Sequence, residues 1–114
     1  MLKQDFSEFV KKKVSTFPYD KIIFTKKDIS YLESRNGLSE GEMKEEIFNP
    51  KNLKFVEKQE REFRNSPETR YLCYFVHSNS KGRAYVLKFN SNIKIVTVFP
   101  IGKKTLRKYA RTFK

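Results

Sequence analysis

The feature that most limits the fold of this chain is a run of three short apolar segments between residues 70 and 99. Arg70–Ser78, Ala84–Asn90 and Ile93–Phe99 are each rich in branched and aromatic residues. Turn-forming residues separate them, with Asn79–Arg83 in the first gap and Ser91-Asn92 in the second. Short apolar runs that are broken by Gly, Asn and Ser favour an antiparallel meander of strands over helices.

The third segment, Ile93–Phe99, carries apolar residues at both odd and even positions. Alternate residues of a strand share a face, so we expect Thr97 to lie on the same face as Ile95. Because both faces are apolar, we predict a central strand that is covered on both sides. Pro100 and Gly102 are expected to end it.

Three short helices are predicted before these strands. They are Asp5–Ser15, a helix that starts after Thr25 and stops at Asn36-Gly37, and a helix from Ser39 to Phe48. In each, an N-cap side chain is followed three residues later by an acid: Asp5 with Glu8, Thr25 with Asp28, and Ser39 with Glu42. In the third helix Met43, Ile47 and Phe48 are expected to be buried, and Glu46 is assigned to the surface.

The remaining segments complete an α+β prediction for residues 1–114 as a single domain. Lys21–Phe24 is a short strand, Leu53–Lys58 is a weaker strand, and Glu57–Glu68 is a charged connection. We therefore expect two or three short helices packed on a curled, mainly antiparallel sheet of four to five strands. A basic helix or tail, Lys103–Lys114, follows the sheet.

Positive charge is concentrated in the second half of the chain. The formal net charge is +12, and residues 68–114 contain 11 basic residues with Glu68 as their one acid. Such a distribution favours a polyanionic partner, and RNA or DNA fits it better than a membrane surface does. Basic residues that only keep the protein soluble are the alternative interpretation.

Several classes of site are disfavoured by the residues present. One histidine and one cysteine, without a ligand-spaced motif, do not predict a metal site, and we expect no cofactor. Cys73 lies in an apolar run and is predicted to be a core residue. The chain has no apolar run long enough to span a bilayer, and MLKQDFSEF lacks the apolar region of a signal peptide, so we expect a cytoplasmic protein.

The polar side chains near the predicted strands suit one reaction, the cleavage of RNA through its own 2′-OH. This reaction needs a base, a cation for the phosphorane charge and an acid for the leaving 5′ oxygen, and it needs no metal. His77 is the candidate acid or base, Arg83 a phosphate ligand, and Tyr109 an acid or a stacking residue. Thr97 is a weaker candidate for a hydrogen bond to a ligand.

The C-terminal tail is the strongest nucleic-acid signal in the chain. As a helix it places Leu106, Tyr109 and Ala110 on one side, with cations around them. The cations predicted to contact phosphate are Lys103, Lys104, Arg107, Lys108 and Arg111. A frayed, solvated chain end is the alternative.

The order of short motifs resembles the RelE-like branch of the barnase/colicin/RelE ribonuclease superfamily, which includes toxins of toxin–antitoxin pairs. The resemblance covers roughly residues 21–110. The motifs that carry it are Ile23-Phe24-Thr25, Ser34-Arg35, Gly37-Leu38-Ser39, Asn49-Pro50, Arg70-Tyr71, Gly82-Arg83, Val96-Thr97-Val98 and Tyr109.

The resemblance implies helices on a curled antiparallel sheet, metal-independent RNA cleavage and, in some members, an acidic antitoxin-like partner. It adds Arg35 to the candidate catalytic residues His77, Arg83 and Tyr109. Many relatives carry a histidine early in the second helix, where this chain has Asp28. The alternatives are a non-catalytic nucleic-acid-binding module and a basic adaptor that docks an acidic protein.

Overall fold

The meander predicted from the apolar runs is present, and each of its strands is longer than the sequence indicates. The computed structural model describes residues 4–25 and 29–112. Its elements, in chain order, are α1 (Ser7–Val14), a 3₁₀ helix (Tyr19–Lys21), β1 (Ile22–Phe24), α2 (Ile29–Asn36), α3 (Glu40–Phe48), β2 (Leu53–Phe63), β3 (Ser66–Val76), β4 (Lys81–Phe89), β5 (Ile93–Gly102) and α4 (Lys103–Thr112).

The described strands form one sheet in the order β1-β5-β4-β3-β2. The short strand β1 runs parallel to β5, and the pairs β5–β4, β4–β3 and β3–β2 are antiparallel. The α+β class and the mainly antiparallel sheet are therefore confirmed. As predicted, β5 is an interior strand.

Side chains alternate between two layers that cover opposite faces of the sheet. On the first face, here called the α3 face, α1, α2 and α3 pack on buried residues that include Cys73, Phe75 and Tyr85. On the second face, the α4 face, α4 packs on residues that include Tyr74 and Ala84. The prediction that Cys73 is a core residue is confirmed, and burial raises the pKa of its thiol.

Of the helix caps predicted from the sequence, one is present in the structure and another is not. Ser39 and Glu42 form the predicted capping box of α3, with each side chain bonded to the other residue's main-chain N–H. The predicted pair of Asp5 and Glu8 does not form. Asp5 instead accepts hydrogen bonds from Ser7 and from the main-chain N–H of Val56, which ties α1 to β2. Asp28, and with it the cap predicted for the second helix, lies outside the described residues.

The charged segment Glu57–Glu68, predicted to be a connection, is instead the far half of the β2–β3 hairpin. Paired residues run continuously from Val56–Cys73 to Phe63–Ser66. The turn residues, Arg64 and Asn65, both have positive φ, 52° and 62°, as a two-residue type I′ turn requires. The sequence Arg-Asn lacks the glycine that usually marks such a turn, which is why the hairpin was missed.

The predicted face of Thr97 is also wrong, because β5 contains a β-bulge. The pairing with β4 passes from Val86–Thr97 to Leu87–Ile95, which leaves Val96 as an extra residue. The bulge reverses the alternation, so Ile95 lies on the α3 face while Thr97 faces the other way. The strand also continues through Pro100 to Gly102 instead of ending there.

The basic tail is helical from Lys103 to Thr112 and follows β5 directly. Leu106 is buried and Tyr109 is half-buried against the sheet, as the predicted amphipathic pattern requires. Across residues 4–25 and 29–112, no helix combines the length and the apolar character that crossing a bilayer would need.

Candidate functional site

The candidate site is built around Glu46, a residue that the sequence pattern assigned to the surface. Met43 and Ile47 are the fully buried residues of α3, whereas Phe48, which was also expected to be buried, is exposed at the end of the helix. Glu46 lies three residues after Met43, so it is on the same side of the helix as the buried residues and its carboxylate points at the sheet. Only 13% of its side chain is exposed. The assignment of Glu46 to solvent was therefore wrong.

The β3–β4 hairpin supplies the three side chains that meet this carboxylate. Phe75 pairs with Arg83 and Cys73 pairs with Tyr85, which aligns the ends of β3 and β4 under α3. Because side chains alternate along each strand, Arg83 and Tyr85 point to the α3 face. His77 follows Phe75 at the same two-residue spacing, immediately after β3 ends.

Glu46, His77, Arg83 and Tyr85 form a hydrogen-bonded group, which we call the Glu46 cluster. One carboxylate oxygen, Oε1, accepts from Arg83 Nη1 at 2.7 Å and from the Tyr85 hydroxyl at 2.5 Å. The other, Oε2, lies 2.5 Å from His77 Nε2. A single carboxylate thus holds an imidazole, a guanidinium and a phenol hydroxyl.

The environment keeps this carboxylate ionised. Burial alone raises the pKa of Glu46, but hydrogen bonds from Tyr85, His77 and Arg83, together with the positive charge of Arg83, outweigh burial and lower it. The ionised carboxylate has no proton to donate, so His77 Nε2–H is the donor in their contact. Burial and the neighbouring negative charge raise the pKa of Tyr85, which therefore keeps its proton.

The guanidinium of Arg83 is incompletely paired. Its Nε is buried, and none of the residues that the structure describes accepts a hydrogen bond from it. A buried donor without a partner costs about 1–3 kcal/mol. Arg83 thus has hydrogen-bonding capacity that Glu46 does not use.

An open cleft of about 720 Å³ lies beside the cluster, between α3 and the segment that leads into β2. Two residues of the Glu46 cluster, Glu46 and Arg83, also line this cleft. Glu42 and Glu45 line the α3 side, and Lys51 lines the opposite side. The outer cleft is therefore acidic, in contrast to the basic C-terminal half of the sequence.

The other two predicted catalytic residues lie elsewhere. Tyr109 is on the α4 face, where its ring centre is 4.1 Å from that of Tyr74. A hydrogen bond to Tyr109 adds to the burial that raises the pKa of Tyr74, so this pair fastens α4 to β3. Arg35 lies over the ring of Phe99, with its guanidinium carbon 5.8 Å from the ring centre. Of the predicted set, the structure brings together His77 and Arg83.

The predicted nucleic-acid-binding cations are all solvent-exposed on α4. They are Lys103, Lys104, Arg107, Lys108 and Arg111. They lie on the face of the sheet opposite the Glu46 cluster, and the β3–β4 turn separates the two regions.

Sequence reasoning missed Glu46 and Tyr85. A signal for Tyr85 was present, since it lies two residues after Arg83 in a predicted strand and so shares its face. The signal for Glu46 was its three-residue spacing from Met43. Among residues 4–25 and 29–112, no group of three or more His, Cys, Asp or Glu side chains is arranged to hold a metal ion.

Comparisons with protein-family models, with curated proteins and with solved structures find no match to this chain.

Proposed function

We propose that this protein is a RelE-like, RNA-binding domain that cleaves RNA without a metal, with the Glu46 cluster as its active site. One observation carries the proposal: a single ionised carboxylate holds an imidazole and a guanidinium within hydrogen-bonding distance. These are the base, the acid and the charge-stabilising cation that 2′-OH transesterification requires. The arrangement of short helices on a mainly antiparallel sheet agrees with what the family resemblance implies.

The roles follow from the geometry of the cluster. Glu46, which is ionised, accepts the proton of the RNA 2′-OH, and the 2′ oxygen attacks the adjacent phosphorus. The bond from phosphorus to the 5′ oxygen then breaks, and His77 donates its Nε2 proton to that oxygen. The products are a 2′,3′-cyclic phosphate and a 5′-hydroxyl. DNA lacks the 2′-OH and so cannot react in this way.

Arg83 stabilises the charge that develops on the phosphate. It is held by Glu46 through Nη1, and its buried Nε lacks an acceptor among the described residues. A phosphate oxygen beside the guanidinium would supply that acceptor after a small shift of the side chain. A guanidinium that is held in place before the substrate binds is the kind of preorganised electrostatic contact that lowers a transition-state barrier.

Tyr85 holds Glu46 in position and takes no part in proton transfer. It is fully buried, and its hydroxyl donates to Glu46 Oε1. We propose that the protein acts in the cytoplasm, where cellular RNA is available; its one thiol, Cys73, is buried and free, which is compatible with a reducing compartment.

The test is the incubation of purified protein with a defined RNA oligonucleotide in EDTA. We expect fragments that end in 2′,3′-cyclic phosphate. Glu46→Gln and His77→Asn should each lower the rate by about 10²–10⁴-fold, the usual contribution of a general acid or base. Glu60→Gln, the same chemical change at an exposed position of β2, is the matched control and should retain wild-type activity.

Two results would contradict the proposal. One is RNA that stays intact at equimolar protein, and the other is cleavage that Glu46→Gln leaves unchanged. Binding without cleavage would support the non-catalytic module instead. Circular dichroism of each variant separates a loss of chemistry from a loss of fold.

A further inference from the structure

A second concave surface lies on the face of the sheet opposite the Glu46 cluster. It is a groove of about 480 Å³ between α4 and the ends of β2 and β3, here called the α4 groove. Its floor is apolar and is formed in part by Phe55, Val76 and Leu106. This volume falls in the range of about 300–1,000 Å³ that holds small ligands, so it admits one or two nucleotides and excludes a duplex.

The charge of the α4 groove is positive. Lys54 comes from β2, and Lys103 and Arg107 lie one helical turn apart on α4. None of the described residues that line the groove is acidic. The cleft beside the Glu46 cluster, by contrast, is lined by three glutamates. A polyanionic strand is therefore attracted to the α4 groove more strongly than to the outer cleft.

The groove and the cluster meet at the turn between β3 and β4. Ser78 and Asn79, in that turn, line the groove. His77, the residue just before them, belongs to the Glu46 cluster. The main-chain N–H groups of His77 and Ser78 both bond to the carbonyl of Lys81, which keeps the turn tight. A nucleic-acid strand that crosses this turn passes from the α4 groove to the Glu46 cluster.

We propose that the α4 groove binds the single-stranded RNA that flanks the bond cleaved at the Glu46 cluster; the position of that bond rests on the proposed function. Lys54, Lys103 and Arg107 contact phosphates, and bases lie on the apolar floor beside Phe55. The layers on the two faces of a sheet are separated by about 10 Å on each side. The two distances together make about 20 Å, so at about 3.4 Å per stacked nucleotide roughly six nucleotides span the turn.

The cations of α4 fall into two groups, those that line the α4 groove and those that do not. At 3.6 residues per turn, Lys103 and Arg107 point into the groove, whereas Lys104 and Arg111 lie about a quarter-turn around the helix. Lys104 and Arg111 are exposed and do not line the groove. The double variants Lys103→Glu/Arg107→Glu and Lys104→Glu/Arg111→Glu therefore carry the same change in net charge at different places.

The experiment measures the binding of a fluorescent, 2′-deoxy-substituted octanucleotide by anisotropy over a range of salt concentrations. This probe cannot be cleaved through a 2′-OH. The groove variant should bind about tenfold or more weakly than wild type, and its salt slope should fall by roughly 1.4, which corresponds to 0.7 for each lost single-strand phosphate contact. The off-groove variant should lose much less affinity and keep most of the slope. Lys103→Gln/Arg107→Gln tests the same contacts with a milder change.

Three outcomes would overturn the inference. They are no binding by the wild type, equal losses of affinity in the two charge-reversal variants, and tighter binding of an acidic peptide than of the octanucleotide. The last is tested by competition with an acidic peptide of the same charge as the octanucleotide. If the peptide displaces the octanucleotide at a concentration below that of unlabelled octanucleotide, the groove is a docking surface for an acidic partner of the antitoxin kind. Groove-dependent binding without cleavage would remove the proposed ribonuclease function but leave the α4 groove as a nucleic-acid-binding site. Cleavage that the groove variants leave unchanged would remove the groove's role and leave the ribonuclease function standing.

Discussion

Replacement of Glu46 by alanine is the most informative perturbation of the fold. The carboxylate is 13% exposed, and it neutralises Arg83, whose side chain is 16% exposed. Truncation leaves the guanidinium buried without its counter-charge and removes the acceptor of the buried Tyr85 hydroxyl. Breaking a buried ion pair by removing one partner costs about 3–5 kcal/mol. His77 is 30% exposed and can rehydrate, so it adds little.

The assay is urea unfolding at pH 7, with Glu45→Ala as the control. Glu45 is the preceding residue of α3 and is exposed, so its replacement should change the free energy of unfolding by no more than about 0.5 kcal/mol. We expect Glu46→Ala to be less stable than this control by about 3–5 kcal/mol. A difference below about 1 kcal/mol would refute the argument that the cluster is a buried, charge-paired unit.

The same comparison has a defined pH dependence. The pKa of Glu46 is lowered in the folded state from an ordinary value of 4.5. Its stabilising effect is therefore fully present above pH 4.5 and is lost as the pH falls through the lower, folded-state value. The difference between wild type and Glu46→Ala should shrink in acid. A difference that grows as the pH falls below 4.5 would contradict the direction of the shift.

Further substitutions test the hydrogen bond, the hairpin and a helix end. Tyr85→Phe should destabilise the fold by about 1.5–3 kcal/mol, because it removes a hydrogen bond to a charged group, and should raise the pKa of Glu46, which carboxylate NMR titration measures. Gly82→Ala should lower the melting temperature sharply, because its Cβ would lie 2.5 Å from a main-chain oxygen of β3, whereas Gly102→Ala meets nothing within 4 Å and serves as the control. Gly37→Ala should cost about 1–2 kcal/mol in thermal unfolding, because Gly37 ends α2 with a φ of +65°.

The meander and the helix ends were predictable because they depend on local chemistry. Apolar runs alternate with turn residues through β3, β4 and β5, and the turn at Asn90–Asn92 closes on itself by hydrogen bonds as expected. The capping box of Ser39 and Glu42 needs only residues three apart. The amphipathic pattern of α4 likewise lies within one helix.

The features that sequence reasoning missed depend on residues that are far apart or on rare backbone states. The far half of the β2–β3 hairpin is exposed and charged, so it lacks the apolar alternation that marks a strand. The bulge at Val96 is a property of the pairing with β4 and leaves no mark in either strand alone. Glu46 meets its partners across 31 to 39 residues of chain, which no local pattern encodes.

The most direct test of the central claim uses a DNA oligonucleotide that contains a single ribonucleotide, incubated with the protein in EDTA. If the Glu46 cluster cleaves through the 2′-OH, the strand is cut once, on the 3′ side of the ribonucleotide, and mass spectrometry finds a 2′,3′-cyclic phosphate there. The all-DNA strand stays intact, and Glu46→Gln slows the cut by about 10²–10⁴-fold. Cleavage of the all-DNA strand, or no cleavage of the single-ribonucleotide strand at equimolar protein, would contradict the account.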